Sequence, residues 1–309
     1  MFKVLVTGSS GFVGKNLVET LSLKKHLVYE AFYDKEKKII HRVRKFNNKE
    51  IEPLIDYENI KKIDAIIHCA AKLPSRKNNE INNLDEYKKV NVEQTLLTAK
   101  QAVKKGIKRF VYLSSALVVN DKQLINNTTK SFYSISKLES EIALMEFSKQ
   151  TGLEVVILRP PLIYGKYVKG NFINLLDLIY KKIPLPFKNI KNLRSYIGVN
   201  NLIDLIIVCI SHPKAVGKIF SASDNEDISI SDLIIKISKF MNLSPKLFSL
   251  PTALLKSLGY LFFSYNSFNS IIQTFHCSNE DVNKILGWSP VYSLDQEIEK
   301  LVHWYKKNR

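Results

Sequence analysis

The sequence predicts an α/β fold: a doubly wound parallel sheet with a smaller C-terminal α/β lobe. Three observations carry this. A short apolar strand runs into three spaced glycines and then a helical pattern within residues 2–21. Strand-like and helix-like stretches alternate from there to Arg159-Pro160-Pro161, and such alternation places helices on both faces of a parallel sheet. Beyond Gly165 the pattern becomes helix-rich, with short strands.

The opening is Phe2-Lys3-Val4-Leu5-Val6-Thr7-Gly8-Ser9-Ser10-Gly11-Phe12-Val13-Gly14. Val4, Leu5 and Val6 read as a buried strand, Gly8 ends it, and Leu17, Val18 and Leu21 recur at helical spacing. Strand, glycine turn and helix within about 20 residues open a Rossmann βαβ unit. Gly8 reaches backbone angles closed to residues with a side chain. Gly11 lets the chain approach a pyrophosphate, and Gly14 lets the helix pack tightly on the strand. The helix N-terminus offers N–H groups and partial positive charge to phosphates. Gly8, Ser10, Gly11, Phe12 and Val13 are therefore candidate dinucleotide-binding residues.

A second strand is predicted at 26–33. The residue closing this strand usually chooses the cofactor, an acid for a ribose hydroxyl or a base for a 2′-phosphate. Phe32 holds the place of the acid, Asp34 follows slightly late, and Lys35, Lys37 and Lys38 could face a phosphate. The choice between NAD and NADP stays open. A third strand is expected in 42–46, and Glu50-Ile51 reads as an acidic-apolar pair beside an adenine. Ile63–His68 is a strand, followed by Cys69-Ala70-Ala71, small enough to lie against a flat cofactor; His68 reads as a packed or capping residue. Helical periodicity runs from Tyr87 to Val103, and Gly106 stops it. Arg109–Leu113 is a strand ending in Ser114-Ser115-Ala116. A helix opens at Tyr133 and reaches about Gln150, with Gly152 as its cap, and Leu153–Leu158 is the next strand.

Residues 1–165 are thus expected to form the dinucleotide-binding domain, with later elements returning to it, and 166–309 mainly a second lobe. Helices are predicted there at 171–182, 201–211, 231–241, 252–263, 279–286 and 294–306, and strands near 185–187, 195–199 and 218–222. Ser278 and Ser293 are candidate N-caps. Residues 250–265 are strongly apolar and read as a core-facing or oligomer-facing helix, with a membrane-surface or partner contact as the other reading.

Length and a hydrophobic content of 45% suit a globular protein with an ample core. No window of about 18 residues is apolar and uncharged, so no spanning helix is expected. The chain enters a strand at once, without a signal peptide, and a cytoplasmic protein is expected. The net charge of +17 comes from lysines spread along the chain rather than from one basic block, so no nucleic-acid partner is expected. That field would still steer anionic ligands. Cys69, Cys209 and Cys277 are isolated and fit reduced, packed thiols, and the histidines show no metal-ligand spacing.

Tyr133 and Lys137 stand four residues apart, on one face of a helix. A lysine ammonium beside a phenol lowers the phenol pKa toward neutrality. The pair then suits proton transfer in alcohol–ketone interconversion. Ser115, at a C-terminal strand end, can hydrogen-bond the same oxygen.

Taken together, Thr7–Gly14, His68-Cys69-Ala70-Ala71, Asn91, Leu113-Ser114-Ser115, Tyr133 with Lys137, Arg159-Pro160-Pro161 with Tyr164-Gly165, and Arg194-Ser195-Tyr196-Ile197 resemble the extended short-chain dehydrogenase/reductases. These are the nucleotide-sugar epimerase/dehydratase/reductase family. The resemblance implies Ser115, Tyr133 and Lys137 as the catalytic set, with Asn91 supporting Lys137. It implies Ala70, Ala71, Lys72 and Pro160 along an NAD or NADP cofactor, and Arg194, Tyr196 and Asn171 at the diphosphate of a UDP-sugar. Family members pair through two helices of each subunit, so a homodimer is implied. Family 4,6-dehydratases carry an Asp-Glu pair after the catalytic hydroxyl residue; here Ala116-Leu117 stand there, which disfavours dehydration. The runs Arg159–Gly165, Val168–Phe172 and Pro184–Pro186 resemble the 4-ketoreductase branch, which makes UDP-N-acetylquinovosamine for bacterial surface polysaccharide. Leu162 departs from the Asn common in the 4-epimerases. Two other readings stand beside it: a UDP-sugar 4-epimerase that retains NAD, and a nucleotide-sensing binding protein without turnover.

Overall fold

The computed structural model describes every residue except 34–38, 45–50, 54–61, 75–82, 119–130, 252–253 and 255–271. The predictions at Asp34, Glu50 and most of 252–263 lie outside the described residues. The strands run in chain order β1 (Lys3–Thr7), β2 (Leu27–Tyr33), β3 (Ile39–Arg44), β4 (Ile51–Pro53), β5 (Ala65–His68), β6 (Arg109–Leu113), β7 (Glu154–Arg159), β8 (Leu162–Tyr164), β9 (Tyr196–Gly198) and β10 (Ile219–Ser221). The helices are α1 (Phe12–Leu23), α2 (Leu84–Lys88), α3 (Gln94–Lys104), α4 (Phe132–Thr151), α5 (Asn171–Tyr180), α6 (Val199–Ser211), α7 (Ile230–Met241), α8 (Glu280–Leu286) and α9 (Leu294–Lys307). The chain divides into two compact units: Met1–Pro160 with Leu202–Ala222 and Asn279–Ser289, and Pro161–Asn201 with Ser223–Ser278 and Pro290–Arg309.

The first unit holds a sheet in the order β10-β7-β6-β5-β1-β2-β3-β4. From β10 to β2 all neighbours are parallel, with Val4 opposite Ala65 and Val28, and Ile66 opposite Phe110. The last two strands depart from the predicted parallel sheet: β3 pairs antiparallel with β2, and β4 with β3. Only residues 34–38 join β2 to β3, too few for the crossover of a dozen or more residues that a parallel neighbour requires. The third strand also begins earlier than the predicted 42–46. Leu5, Ile66, Phe110, Tyr112, Val155 and Ile157 share one core with Ala99, Ala102 and Leu144. Strand alternation leaves Val4, Val6 and Ile67 to the opposite face, also buried.

The helical run predicted from Tyr87 starts three residues earlier and is not uniform: between α2 and α3 the chain makes a π-helical turn at Lys89–Glu93. Such turns are rare and often sit at functional sites. Here it contains Asn91, which is fully buried. Helix α4 begins at an N-cap, Ser131, whose side chain accepts from Ser134 N, and ends at Gly152 in the left-handed region at φ 73°.

In the second unit β8 and β9 form a parallel pair, Leu162 opposite Tyr196 and Tyr164 opposite Gly198. Helix α9 opens with a capping box between Ser293 and Gln296. In the first unit, the N-cap position of α8 is Asn279, which makes no side-chain cap, rather than the predicted Ser278. The strand expected near 185–187 reduces to one bridge, Leu185 to Leu247. Among the described residues no helix is long and apolar enough to cross a membrane.

Candidate active site

Parallel pairing makes β1, β5, β6 and β7 end on one edge of the sheet. The strand order reverses between β1 and β5, and open α/β sheets bind ligands in the crevice at such a switch point. The glycine turn and Cys69–Lys72 flank that crevice, joined where Cys69 N donates to Thr7 O at 3.2 Å. Gly8 sits at φ 67°, and a Cβ there would lie 2.7 Å from Ala70 N. A Cβ on Gly14 would overlap the Gly8 carbonyl oxygen. Gly11 is the N-cap of α1, Ser10 is exposed, and Phe12 and Val13 open the first helical turn. A bare turn leading into a helix N-terminus fits the pyrophosphate of a dinucleotide.

A buried hydrogen-bond chain braces this edge. Thr95 Oγ1 spends its proton on Asn91 O at 2.6 Å, so it accepts from His68 Nε2 at 3.0 Å. His68 Nδ1 is then the acceptor for Thr7 Oγ1 at 2.9 Å. Burial, and after it the Lys137 charge, hold His68 neutral with a pKa of about 3. Asn91 Oδ1 accepts from Lys72 N at 2.7 Å, and its Nδ2 donates to Ser136 Oγ at 2.8 Å and to Lys72 O at 3.3 Å. The π-helical asparagine thereby ties the loop after β5 to α4. The Lys72 side chain pairs with Glu86.

Ser115, Tyr133 and Lys137 meet at the end of β6. Ser115 is 9% exposed; its Oγ accepts from Leu117 N at 3.2 Å and lies beside the Tyr133 phenol, whose pKa it lowers. Pro160, at the end of β7, accepts from Ala116 N at 2.9 Å. Lys137 is 1% exposed; Nζ donates to Leu113 O at 2.7 Å and lies 4.3 Å above the Tyr112 ring. Its pKa falls to about 7 because burial disfavours the ammonium, partly offset by Cys69 and Glu141. The expectation for Tyr133 is reversed. Burial pushes its phenol up to about 12, and the neighbouring Ser115 only moderates that. Desolvation outweighs the neighbouring amine, whose proton is directed at Leu113 O.

In the second unit Arg194 and Tyr196 are both buried and hydrogen-bonded side chain to side chain. Arg194 also donates to Gln273 O at 3.3 Å and lies 5.5 Å over the Phe275 ring. Asn171 is the exposed first residue of α5, with Gly170 as N-cap at φ 71°.

A match to the NAD dependent epimerase/dehydratase family runs over residues 4–223. The chain belongs to that family. A UDP-glucose 4-epimerase of Vibrio cholerae is 34% identical over 96% of this chain and 93% of its own. Two solved structures share the fold. The UDP-glucuronic acid 4-epimerase of Bacillus cereus, in complex with NAD, has a TM-score of 0.71 at 19% identity, covering 99% of this chain and 97% of its own. RMD of Pseudomonas aeruginosa, complexed with NADPH, has a TM-score of 0.72 at 16% identity, covering 98% and 99%.

The sequence reading of this epimerase/dehydratase chain missed what lies beneath the site. Glu141, 2% exposed, accepts from Arg159 Nε at 2.9 and 3.1 Å, from a terminal nitrogen of Arg159, and from Ser114 Oγ. This bidentate pair clamps the ends of β6 and β7 to α4. A signal was present: Tyr133, Lys137 and Glu141 repeat every four residues, one inward helix face.

Proposed function

We propose that this chain is an NAD(P)-dependent oxidoreductase acting at C4 of a UDP-linked hexose, reducing a UDP-4-keto-6-deoxy-N-acetylhexosamine to its alcohol. The observation that carries the reading is the meeting of Ser115, Tyr133 and the buried Lys137 at the C-terminal end of β6, where Lys137 Nζ donates to Leu113 O. A phenol held at about 12 is protonated at neutral pH, as the donor to a carbonyl oxygen must be.

Gly8, Ser10, Gly11, Phe12 and Val13 hold the pyrophosphate, and Ala70, Ala71, Lys72 and Pro160 line the rest of the cofactor. Either dinucleotide would supply or remove hydride at the sugar carbon. Ser115 orients the C4 oxygen, and Tyr133 delivers its proton. Lys137 holds the cofactor ribose and the charge left on the phenol. Arg194 and Tyr196 take the UDP diphosphate, a bidentate task that suits guanidinium, with Asn171 beside it. Ala116 and Leu117 place no acid after Ser115, so dehydration is not part of the reading.

The Vibrio cholerae relative favours a second reading, 4-epimerisation with retained NAD and the same residues. Mass-spectrometric product analysis with UDP-4-keto sugars and both reduced cofactors, set beside NMR analysis of C4 stereochemistry after incubation with a UDP-hexose, separates the two. Net consumption of NAD(P)H with formation of the C4 alcohol supports reduction. Interconversion of two C4 epimers without net redox change replaces it with epimerisation. A Tyr133→Phe variant that binds cofactor should lose about 10²–10⁴-fold in turnover; undiminished turnover removes the mechanism.

A further inference from the structure

Carboxylates are missing from two long stretches of the second unit. Residues 178–201 and 233–278 contain no Asp or Glu but nine Lys and Arg. The structure lays parts of these stretches side by side. Leu185 N donates to Lys246 O at 2.8 Å, Phe248 N to Leu185 O at 3.0 Å, and Lys188 N to Phe248 O at 3.2 Å. Farther along, Ser195 N donates to Phe275 O and Phe275 N to Leu193 O, both at 2.8 Å. Lys246 is thereby brought beside the segment that carries Lys181, Lys182 and Lys188, a basic strip.

The strip is apolar as well as basic. Lys181, Lys182, Lys188 and Lys246 are exposed, and so are Ile183, at 44%, and Phe248, at 41%. Among the described residues none of these four lysines is in an ion pair. Two carboxylates of the same unit are engaged. Asp177 is bound by Tyr305 Oη at 2.5 Å and Arg309 at 3.0 Å, and Asp227 by Ser195 Oγ at 2.5 Å and His276 at 2.7 Å.

We propose that this strip docks the protein on an anionic phospholipid surface, lysines on the headgroups and Ile183 and Phe248 at the acyl boundary. Exposed aliphatic and aromatic groups set among lysines suit that interface. A single-stranded nucleic acid would instead need several aromatic plates along the lysines. The inference is independent of the reaction proposed above, because none of these residues is assigned to cofactor or sugar.

The test is flotation of the full chain with phosphatidylcholine vesicles, with and without phosphatidylglycerol. The expected result is flotation with the anionic vesicles only, lost in high salt. Lys181→Glu with Lys182→Glu should lower partitioning about tenfold or more. Ile183→Ser with Phe248→Ser should also lower it, leaving melting temperature and turnover on soluble substrate unchanged. Lys100→Glu with Lys104→Glu, on α3, is the control and should float normally. Absent flotation, or equal flotation of control and strip variants, overturns the proposal. So does binding of a polynucleotide in place of vesicles, which would assign the strip to nucleic acid.

Discussion

Replacing Lys137 by Met should remove a rise of stability with pH. The ammonium is buried, with Leu113 O as hydrogen-bond acceptor and the Tyr112 ring beneath it. Its pKa is about 7 in the folded chain, against 10.5 for the exposed group. Between those values the unfolded chain holds a proton that the folded chain has released. Stability therefore rises with pH through that window and is lowest below it. At about 1.4 kcal/mol for each tenfold, the gap bounds the gain at about 5 kcal/mol. Methionine occupies similar space without the charge. It leaves Leu113 O unpaired at about 1–3 kcal/mol, an offset independent of pH. The assay is urea unfolding from pH 6.5 to 9.5, read by Trp288 in a Trp304→Phe background, since Trp288 belongs to the unit that holds Lys137. The parent should gain up to about 1.4 kcal/mol per pH unit over the variant. Parallel stability curves for the two proteins would refute the claim that burial governs this amine.

Three further outcomes are expected. Asn91→Ala removes the acceptor of Lys72 N and the donor to Ser136 Oγ, so dinucleotide affinity should drop about tenfold or more, while Asn91→Asp keeps the acceptor for Lys72 N and loses less; titration by cofactor fluorescence reads both. Gly8→Ala and Gly217→Ala both place a side chain near φ 70°, at about 1–2 kcal/mol each, but only Gly8 meets backbone. Thermal melts should show a modest loss for Gly217→Ala, and dinucleotide binding should vanish only for Gly8→Ala. Glu297, fully buried beneath Gly198, has its pKa raised to about 7 by burial, so the folded chain keeps a proton that the unfolded chain loses above 4.5. Stability from this group falls as pH rises from 4.5 to 7. Glu297→Gln retains an acceptor for Asn200 and should be more stable than the parent by up to about 3 kcal/mol above pH 7, with no difference below 4.5, on denaturant curves.

Much of the first unit was legible because its signals are local. Gly8, Gly152 and the apolar runs at 4–6, 110–113 and 155–158 each carry a steric or periodic constraint that the residue itself imposes. The second unit was less so, since its strands are three residues long and Leu185 pairs with Leu247, 62 residues along the chain. Backbone hydrogen bonds over such distances leave no periodic trace. The antiparallel edge was missed for the same reason: alternation predicts layers, whereas the direction of β3 depends on the few residues joining it to β2.

The sequence by itself determined the glycine turn, the parallel strands from Val4 to Arg159 with the helices between them, and the placement of Ser115, Tyr133 and Lys137 at a strand end and on one helix face, but not β4 or the π-helical turn. Those follow from backbone sterics and from periods of two and 3.6 residues. Only the tertiary structure decided the charge states and the hidden bracing: a phenol kept protonated, an amine near neutrality, His68 neutral between two threonines, and Glu141 gripping Arg159. Each depends on how much water is excluded and on which distant group fills its place, and neither quantity is written in any local stretch of the chain.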